Sequence, residues 1–457
     1  MQDSTSSAGD RAGLSADDAR TLADRALGGS QADAARVTIN ARTRPFIRSA
    51  DNRITTAGAS SDVAVTIMST FGQRVASVTT NLIDEVSLAE AVRRSEELAR
   101  LAPENPEYMG ELPPLDYAEV DGYYDTTGRI APEDLASAAA LEIERASDAG
   151  NVASGYIDVQ NGSRSIATSE GLFAHHVGTG VASTLTVRAP DGSTSGWAGD
   201  EANDWSRIET DRIAADAVRK CDAWRGKTAL DPGAYDVVLE PTAVGMLMLR
   251  MRGTFDGRAA DEGRSFFSAP GGGGRIGEAL FDPRISIRSD PAAADAEAAP
   301  FDGEGAARSA ETWVEDGVLR SLAYSRFWAD RQGVDARPAP ANFLMSGGAD
   351  SVADMIASTR RGVLISRFWY IRGLNPRTIS YTGLTRDGTF LIEDGRISRP
   401  VTNFRFNQSL VELLQNVEML GEPVRVAAGE NSSVGVPIVV PPLKVRGFNL
   451  ASVSDAI

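Results

Sequence analysis

VVLEPTAVGMLMLRMRGTFDGRAADEGRSFFS, residues 237–268, is the stretch on which the reading of this chain turns. Tyr235 to Leu239 is an apolar run of strand character. Pro241 suits the first turn of a helix, where its missing N–H costs nothing. Ala243, Val244, Leu247, Met248 and Met251 then recur at the three-and-four spacing of one buried face, so Arg250 and Arg252 fall away from its centre. By composition this is an apolar helix packed in a core, entered directly from a strand.

Working outward, a chain of 457 residues has room for two or three domains. Its 42% hydrophobic and 24% charged residues are ordinary for a globular protein. A net charge of −17 argues against nucleic acid or an anionic membrane surface as the main partner, since both would be repelled. Lysine occurs only at 220, 227 and 444, so arginine carries nearly all the positive charge. The single cysteine, Cys221, rules out an internal disulfide, and its place on the apolar face of a predicted helix reads as a small buried hydrophobe. No run approaches the roughly 18 apolar residues of a membrane span. The polar N-terminus MQDSTSSAGD lacks an apolar leader core, so a cytoplasmic protein is expected.

Residues 1–12 read as a disordered tail. A helix is expected after Ser15, with Asp18 completing a capping box and Gly28-Gly29 ending it. Strands are expected at 36–42, 52–56 and 62–68, the last pairing with 74–80. A second helix starts at a Ser87–Glu90 capping box and gives way to a connector broken by Pro103, Pro106, Pro113 and Pro114. A third helix covers 132–148. Strands at 153–160, 163–168, 172–177 and 181–187 read as a meander with tight turns at Asn161-Gly162 and 178–180. A helix over 205–224 follows. Pro232 and Gly233 interrupt regular structure, which sets the domains at 13–228 and 229–457. Hairpins are expected at Asp316-Gly317 and Asp394-Gly395. The fold class is α+β: an N-terminal domain of helices with an antiparallel sheet, then a β-rich C-terminal domain.

Several landmarks together resemble the TldD/PmbA family of bacterial and archaeal proteins: the stretch 237–268 with its flanks, the helix and Pro-rich connector of 81–114, Phe301-Asp302-Gly303-Glu304-Gly305, 361–375, Leu391-Ile392-Glu393-Asp394-Gly395, and 441–454. The resemblance implies a helix that, in the catalytic subunits, carries H-E-x-x-x-H: two zinc-binding histidines and a glutamate general base. Laid on this chain, that motif falls on Leu249, Arg250, Met251, Arg252, Gly253 and Thr254. The family's third ligand, a cysteine upstream of a segment like Leu443-Lys444-Val445, falls on Ala427 or Ala428. Leucine and alanine coordinate nothing, threonine offers a neutral hydroxyl, and arginine cannot accept a proton.

The resemblance therefore implies a TldE/PmbA-like subunit without the zinc motif and without hydrolytic activity of its own. Such a chain carries no cofactor. It pairs with a TldD-like partner that holds zinc, and the heterodimer degrades unfolded or short peptides in a chamber whose wall this chain helps form. The alternative is a stand-alone homodimeric binding or scaffold protein. The family's historical naming as modulators of DNA gyrase finds no support in the acidic charge. Arg250, Arg252, Arg258 and Arg264 are candidates for binding the carboxylates of a peptide or partner; solvated or internally paired arginines are the alternative. His175 and His176, the only histidines, are adjacent in a predicted strand and so face opposite ways, unsuited to sharing one metal. Ser265 has no histidine near it in sequence, and Asp256, Asp261 and Glu262 read as surface charge.

Overall fold

The computed structural model describes residues 13–431 and 433–454. The expected tail at 1–12 lies outside them. The chain opens with helix α1 (Ala16–Gly28), whose N-cap Ser15 accepts from Asp18 N. Strands β1 (Ala34–Ala50), β2 (Arg53–Phe71) and β3 (Arg74–Thr80) follow, then α2 (Glu85–Leu101). A short turn of helix, α3 (Asp125–Gly128), leads to α4 (Pro132–Asp148), β4 (Val152–Thr168), β5 (Phe173–Arg188), β6 (Ser195–Ala202) and α5 (Thr210–Ala223). The six strands form one antiparallel sheet in the order β3-β2-β1-β4-β5-β6. Two cores form on it: α1 and α2 bury Leu22, Leu88 and Val92 against Val37, Ile39 and Ile67, while α4 and α5 bury Leu135 and Ile213 against Ile157, Val159 and Leu185.

The strands are longer than expected, and the difference has a cause. Asn161-Gly162 and 178–180 are not turns; each lies mid-strand, with Asn161 opposite Thr179 and Gly162 opposite Gly178. A Cβ on Gly162 would stand 2.3 Å from the Ala41 carbonyl oxygen, and one on Gly180 would stand 2.6 Å from Val434 Cγ1. These glycines permit close approach, which in sequence looks the same as a turn signal. Likewise 52–56 and 62–68 are one strand, β2. Helix α2 begins a turn before Ser87, because Asp84 caps it by accepting from Ser87 N at 3.0 Å, while Glu90 turns to Arg93 at 2.9 Å. The 205–224 helix splits into a 3-10 turn, Trp205–Arg207, and α5.

The second half begins with β7 (Gly233–Leu239), α6 (Pro241–Arg252) and α7 (Gly257–Asp261). Then come β8 (Ile287–Ser289), β9 (Glu311–Glu315), β10 (Val318–Leu319), α8 (Arg326–Gln332), β11 (Phe343–Met345) and α9 (Val352–Ala357). The long strands β12 (Arg361–Asn375) and β13 (Ser380–Glu393) lead to β14 (Arg396–Pro400), β15 (Asn403–Ser409), α10 (Leu410–Gln415), β16 (Val417–Leu420), β17 (Val424–Arg425), β18 (Ile438–Val440) and β19 (Leu443–Ser454). Asp316-Gly317 and Asp394-Gly395 are the expected hairpin turns, with positive φ at both residues of each.

Two sheets result. One runs β10-β9-β8-β11-β18-β17. In the other, β12, β7, β19, β15 and β13 pair in sequence and β13 pairs back with β12, closing a five-strand barrel with β14 and β16 attached. Phe368, Phe406 and Phe448 pack together with ring centres 4.7–5.8 Å apart in its core. Helix α6 is buried over the face expected from sequence: Ala243, Val244, Leu247, Met248 and Met251 are all fully covered. The class is α+β, with a β-rich second half.

Candidate functional site

Helix α6 enters from Glu240, in extended conformation, with Pro241 at its first turn, and ends at Gly253. Its last turn carries the residues of interest. Leu249 packs against the main core of the second half. The Thr254 hydroxyl donates to the Met251 carbonyl at 2.8 Å and is spent closing the helix end. Ala427 and Ala428 are buried, and their segment crosses α6 one turn upstream: a Cβ on Gly245 would sit 3.5 Å from Ala428 Cβ and 2.3 Å from Val426 Cγ2. The structure thus brings 427–428 beside α6, although nearly 180 residues separate them in sequence.

Zinc requires nitrogen, sulfur or carboxylate donors. A leucine, an arginine, a committed threonine hydroxyl and two alanines do not fit it. Among the described residues, no three His, Cys, Asp or Glu side chains are grouped so as to hold a metal ion.

The four arginines singled out from sequence do not form one group. Arg250 donates to Glu430 at 2.8 Å, and the same carboxylate accepts the Ile371 N–H at 2.8 Å and Arg372 at 3.4 Å. Arg258 bonds Glu107 at 2.9 Å and Glu262 at 3.0 Å, and Arg264 bonds Glu262 at 2.7 Å. These two are surface pairs within the chain. Arg252 alone turns inward, donating to the Pro340 carbonyl at 2.6 Å. It lines a cavity of about 570 Å³ together with Asp302, Tyr324, Arg326 and Pro340.

Sequence reading missed Arg164, Arg308 and Glu430. No spacing links Arg164 on β4 to Arg252 on α6, so no sequence signal was available. The nearest hint is Asp302, within the Phe301–Gly305 landmark.

The histidines occupy different surroundings, as their alternation on β5 requires. His175 Nδ1 lies 2.8 Å from the Ser165 hydroxyl, and its ring stacks on Phe173. His176 lines a cavity of about 230 Å³ with Arg42 and Arg164, held against Gly122 and Gly178. Burial, with a smaller push from His175, drops its pKa to about 4, so its ring is neutral near pH 7. Cys221 is fully buried, and burial raises its thiol above the usual range. Ser265 caps the local turn by accepting from Phe267 N at 3.1 Å. A larger cavity, about 760 Å³, lies against β8, β9 and β11, between Arg207, Arg288, Val314 and Met345, away from the last turn of α6.

Residues 232–452 match the family described as the PmbA/TldA metallopeptidase C-terminal domain, and residues 128–221 match its central domain. A protein named "Metalloprotease" from Methanothermobacter thermautotrophicus is 28% identical over 316 residues, 62% of this chain and 65% of that protein. A "Metalloprotease TldD homolog" from Haemophilus influenzae is 24% identical over 254 residues, 51% of each chain. The alignments thus span about half to two thirds of these relatives. The crystal structure of TldE from Thermococcus kodakarensis superposes with a TM-score of 0.82 at 17% identity, covering 95% of this chain and 99% of that one, which establishes a shared fold. With both family domains matched in order over more than half of its length, and the fold shared over 95% of it, the chain belongs to the TldD/PmbA family.

Proposed function

We propose that this chain is the non-catalytic, TldE-like subunit of a two-component metalloprotease, contributing wall and peptide-contacting surface to a chamber whose zinc and general base belong to a TldD-like partner. One observation carries the reading. Leu249 and Arg250 on α6, Thr254 just past its end and the neighbouring Ala427 and Ala428 hold no group that binds zinc or accepts a proton from water; Leu249 packs against the core, Arg250 bonds Glu430, Thr254 bonds Met251, and the alanines are buried. Losing every ligand and the base together, while keeping the helix and the strand pairing around it, fits a chain selected for shape and contact.

The test is co-expression with a relative that carries H-E-x-x-x-H. The expected results are co-elution as a heterodimer, no measurable zinc or peptidase activity in the isolated chain, and peptidase activity in the complex that disappears when the partner's motif is mutated. A chain that elutes as a homodimer and ignores the partner would instead favour the stand-alone binding protein. Stoichiometric zinc in the isolated chain would sink the non-catalytic reading altogether.

A further inference from the structure

Three guanidiniums from distant parts of the chain share one region without a carboxylate to pair with. Arg164 lies on β4, Arg252 at the last turn of α6, and Arg308 in the loop between β8 and β9. The segment 299–303 gathers them. Arg308 donates to the carbonyls of Phe301 at 2.9 Å and Ala299 at 3.4 Å, and Arg164 lies 5.8 Å over the Phe301 ring with Nη2 3.8 Å from the Cβ position of Gly303. Arg252 and Asp302 line the same 570 Å³ cavity.

The charge there is unbalanced. Among the described residues none of the three guanidiniums has an ion pair; Arg252 and Arg308 donate to backbone carbonyls. The Nε of all three is buried and has no acceptor. Arg308 feels the repulsion of both Arg164 and Arg252, which the Asp302 carboxylate offsets. That carboxylate is itself committed, its Oδ1 accepting the backbone amides of Glu304 at 2.8 Å and Ala306 at 3.0 Å. Burial lowers the proton affinity of all three guanidiniums, as expected of cations short of counter-charge. A half-buried cation without a partner is costly, and a cluster of them is what an incoming anion would stabilise through paired N–H donors.

We propose that Arg164, Arg252 and Arg308 form a binding site for a single carboxylate, that of a peptide C-terminus whose chain lies in the adjoining 570 Å³ cavity. The lining favours this anion over others. Asp256, Asp302 and Glu304 stand in the cavity wall, beside Arg326 and Arg337 and between small apolar surfaces such as Ala307, Ala323 and Pro338. The three carboxylates of this wall are matched by its three guanidiniums, Arg252 among them, so the cavity as a whole suits a peptide that brings one charge to the arginines and a largely neutral backbone to the wall. The peptide as substrate class rests on the function proposed above; the anion site rests on the arginines alone.

The experiment is calorimetric titration of the isolated full-length chain with an N-acetylated alanine pentapeptide, as free acid and as C-terminal amide, and separately with inorganic phosphate. The acid is expected to bind at least tenfold more tightly than the amide, with the gap narrowing as salt rises. Arg252→Met and, as a second variant less involved in backbone bonding, Arg164→Gln are each expected to shrink the gap at least fivefold. Arg145→Ala, a surface pair with Asp211, should leave it unchanged. Equal binding of acid and amide, or no binding of the acid up to millimolar concentration, overturns the carboxylate site. So does tight phosphate binding with no response to the acid peptide. None of these results bears on whether the chain co-elutes with a zinc-bearing partner, so the two readings fail separately.

Discussion

Arg258 and Arg264 stand on the surface near α7, each with a carboxylate of this chain, while Arg164, Arg252 and Arg308 converge half-buried with backbone carbonyls and one committed aspartate for company. The side chain is the same in both regions and its energetic meaning is opposite. An exposed pair trades water for a flexible partner and gains little. A half-buried guanidinium without a counter-ion has lost water and gained no charge in return. Arg250 stands between these cases, half-buried yet matched by Glu430. What separates the regions is whether the chain supplies the counter-charge, and so whether the arginine is finished business or an open valence.

The largest effect tests the premise that an unpartnered buried charge governs stability, and it uses a carboxyl instead of an arginine. Glu142 on α4 is almost fully buried, with the Ser183 hydroxyl as its hydrogen-bond donor at 3.0 Å. Burial pushes its carboxyl up to about 8 from 4.5, against the smaller downward pull of Ser183. The folded chain therefore keeps a proton that the unfolded chain gives up above pH 4.5. Its contribution is complete below that pH and is lost as pH rises toward 8, on the order of a few kcal/mol. Glu142→Gln should flatten the urea midpoint between pH 5 and 8. An unchanged slope in the variant would break the premise.

Next in size is Glu430→Ala. It strands Arg250 and the Ile371 N–H together, so a loss of about 2–3 kcal/mol in urea unfolding is expected. A loss under about 0.5 kcal/mol would move Arg250 into the same class as the surface pairs. Smaller again, and opposite in sign, is Arg164→Met. Relieving repulsion in the arginine cluster should stabilise the chain by roughly 0.5 kcal/mol at low salt, with the gain fading at high salt. A destabilised variant would mean that the cluster's charge is already balanced. The smallest is Arg258→Ala, for which no shift in thermal midpoint is expected; a clear drop would make the surface pair with Glu107 a real tie between the connector and α7.

The comparison also marks where sequence reading succeeds. The apolar face of α6 and the two Asp-Gly hairpins were legible because each depends on neighbours within a few residues. The long strands were cut short in sequence, since Gly162 and Gly180 look like turns when their purpose is to let another segment come close. A sequence displays only proximity along the chain, so the arginines it offers as a group are those of 250–264. In space the relevant set takes one member from that stretch and two from outside it, and only the folded sheet and the 299–303 loop reveal it. Glu430 was invisible for the same reason, since it comes from the segment that crosses α6.

Strand β19 gives the fold a schedule as well as a shape. It lies between β7 and β15, so the barrel lacks an inner strand until residue 454 has been made. The antiparallel sheet of β1 to β6, by contrast, has all its strands once residue 202 has left the ribosome. At about 5–20 residues per second, the interval between the two is roughly 10–50 s. Within it Val237, Val238 and Leu239, once made, keep one strand edge bare after β12 has arrived and until β19 follows. In the cell, the yield of the second half therefore depends on how well that edge is shielded during synthesis.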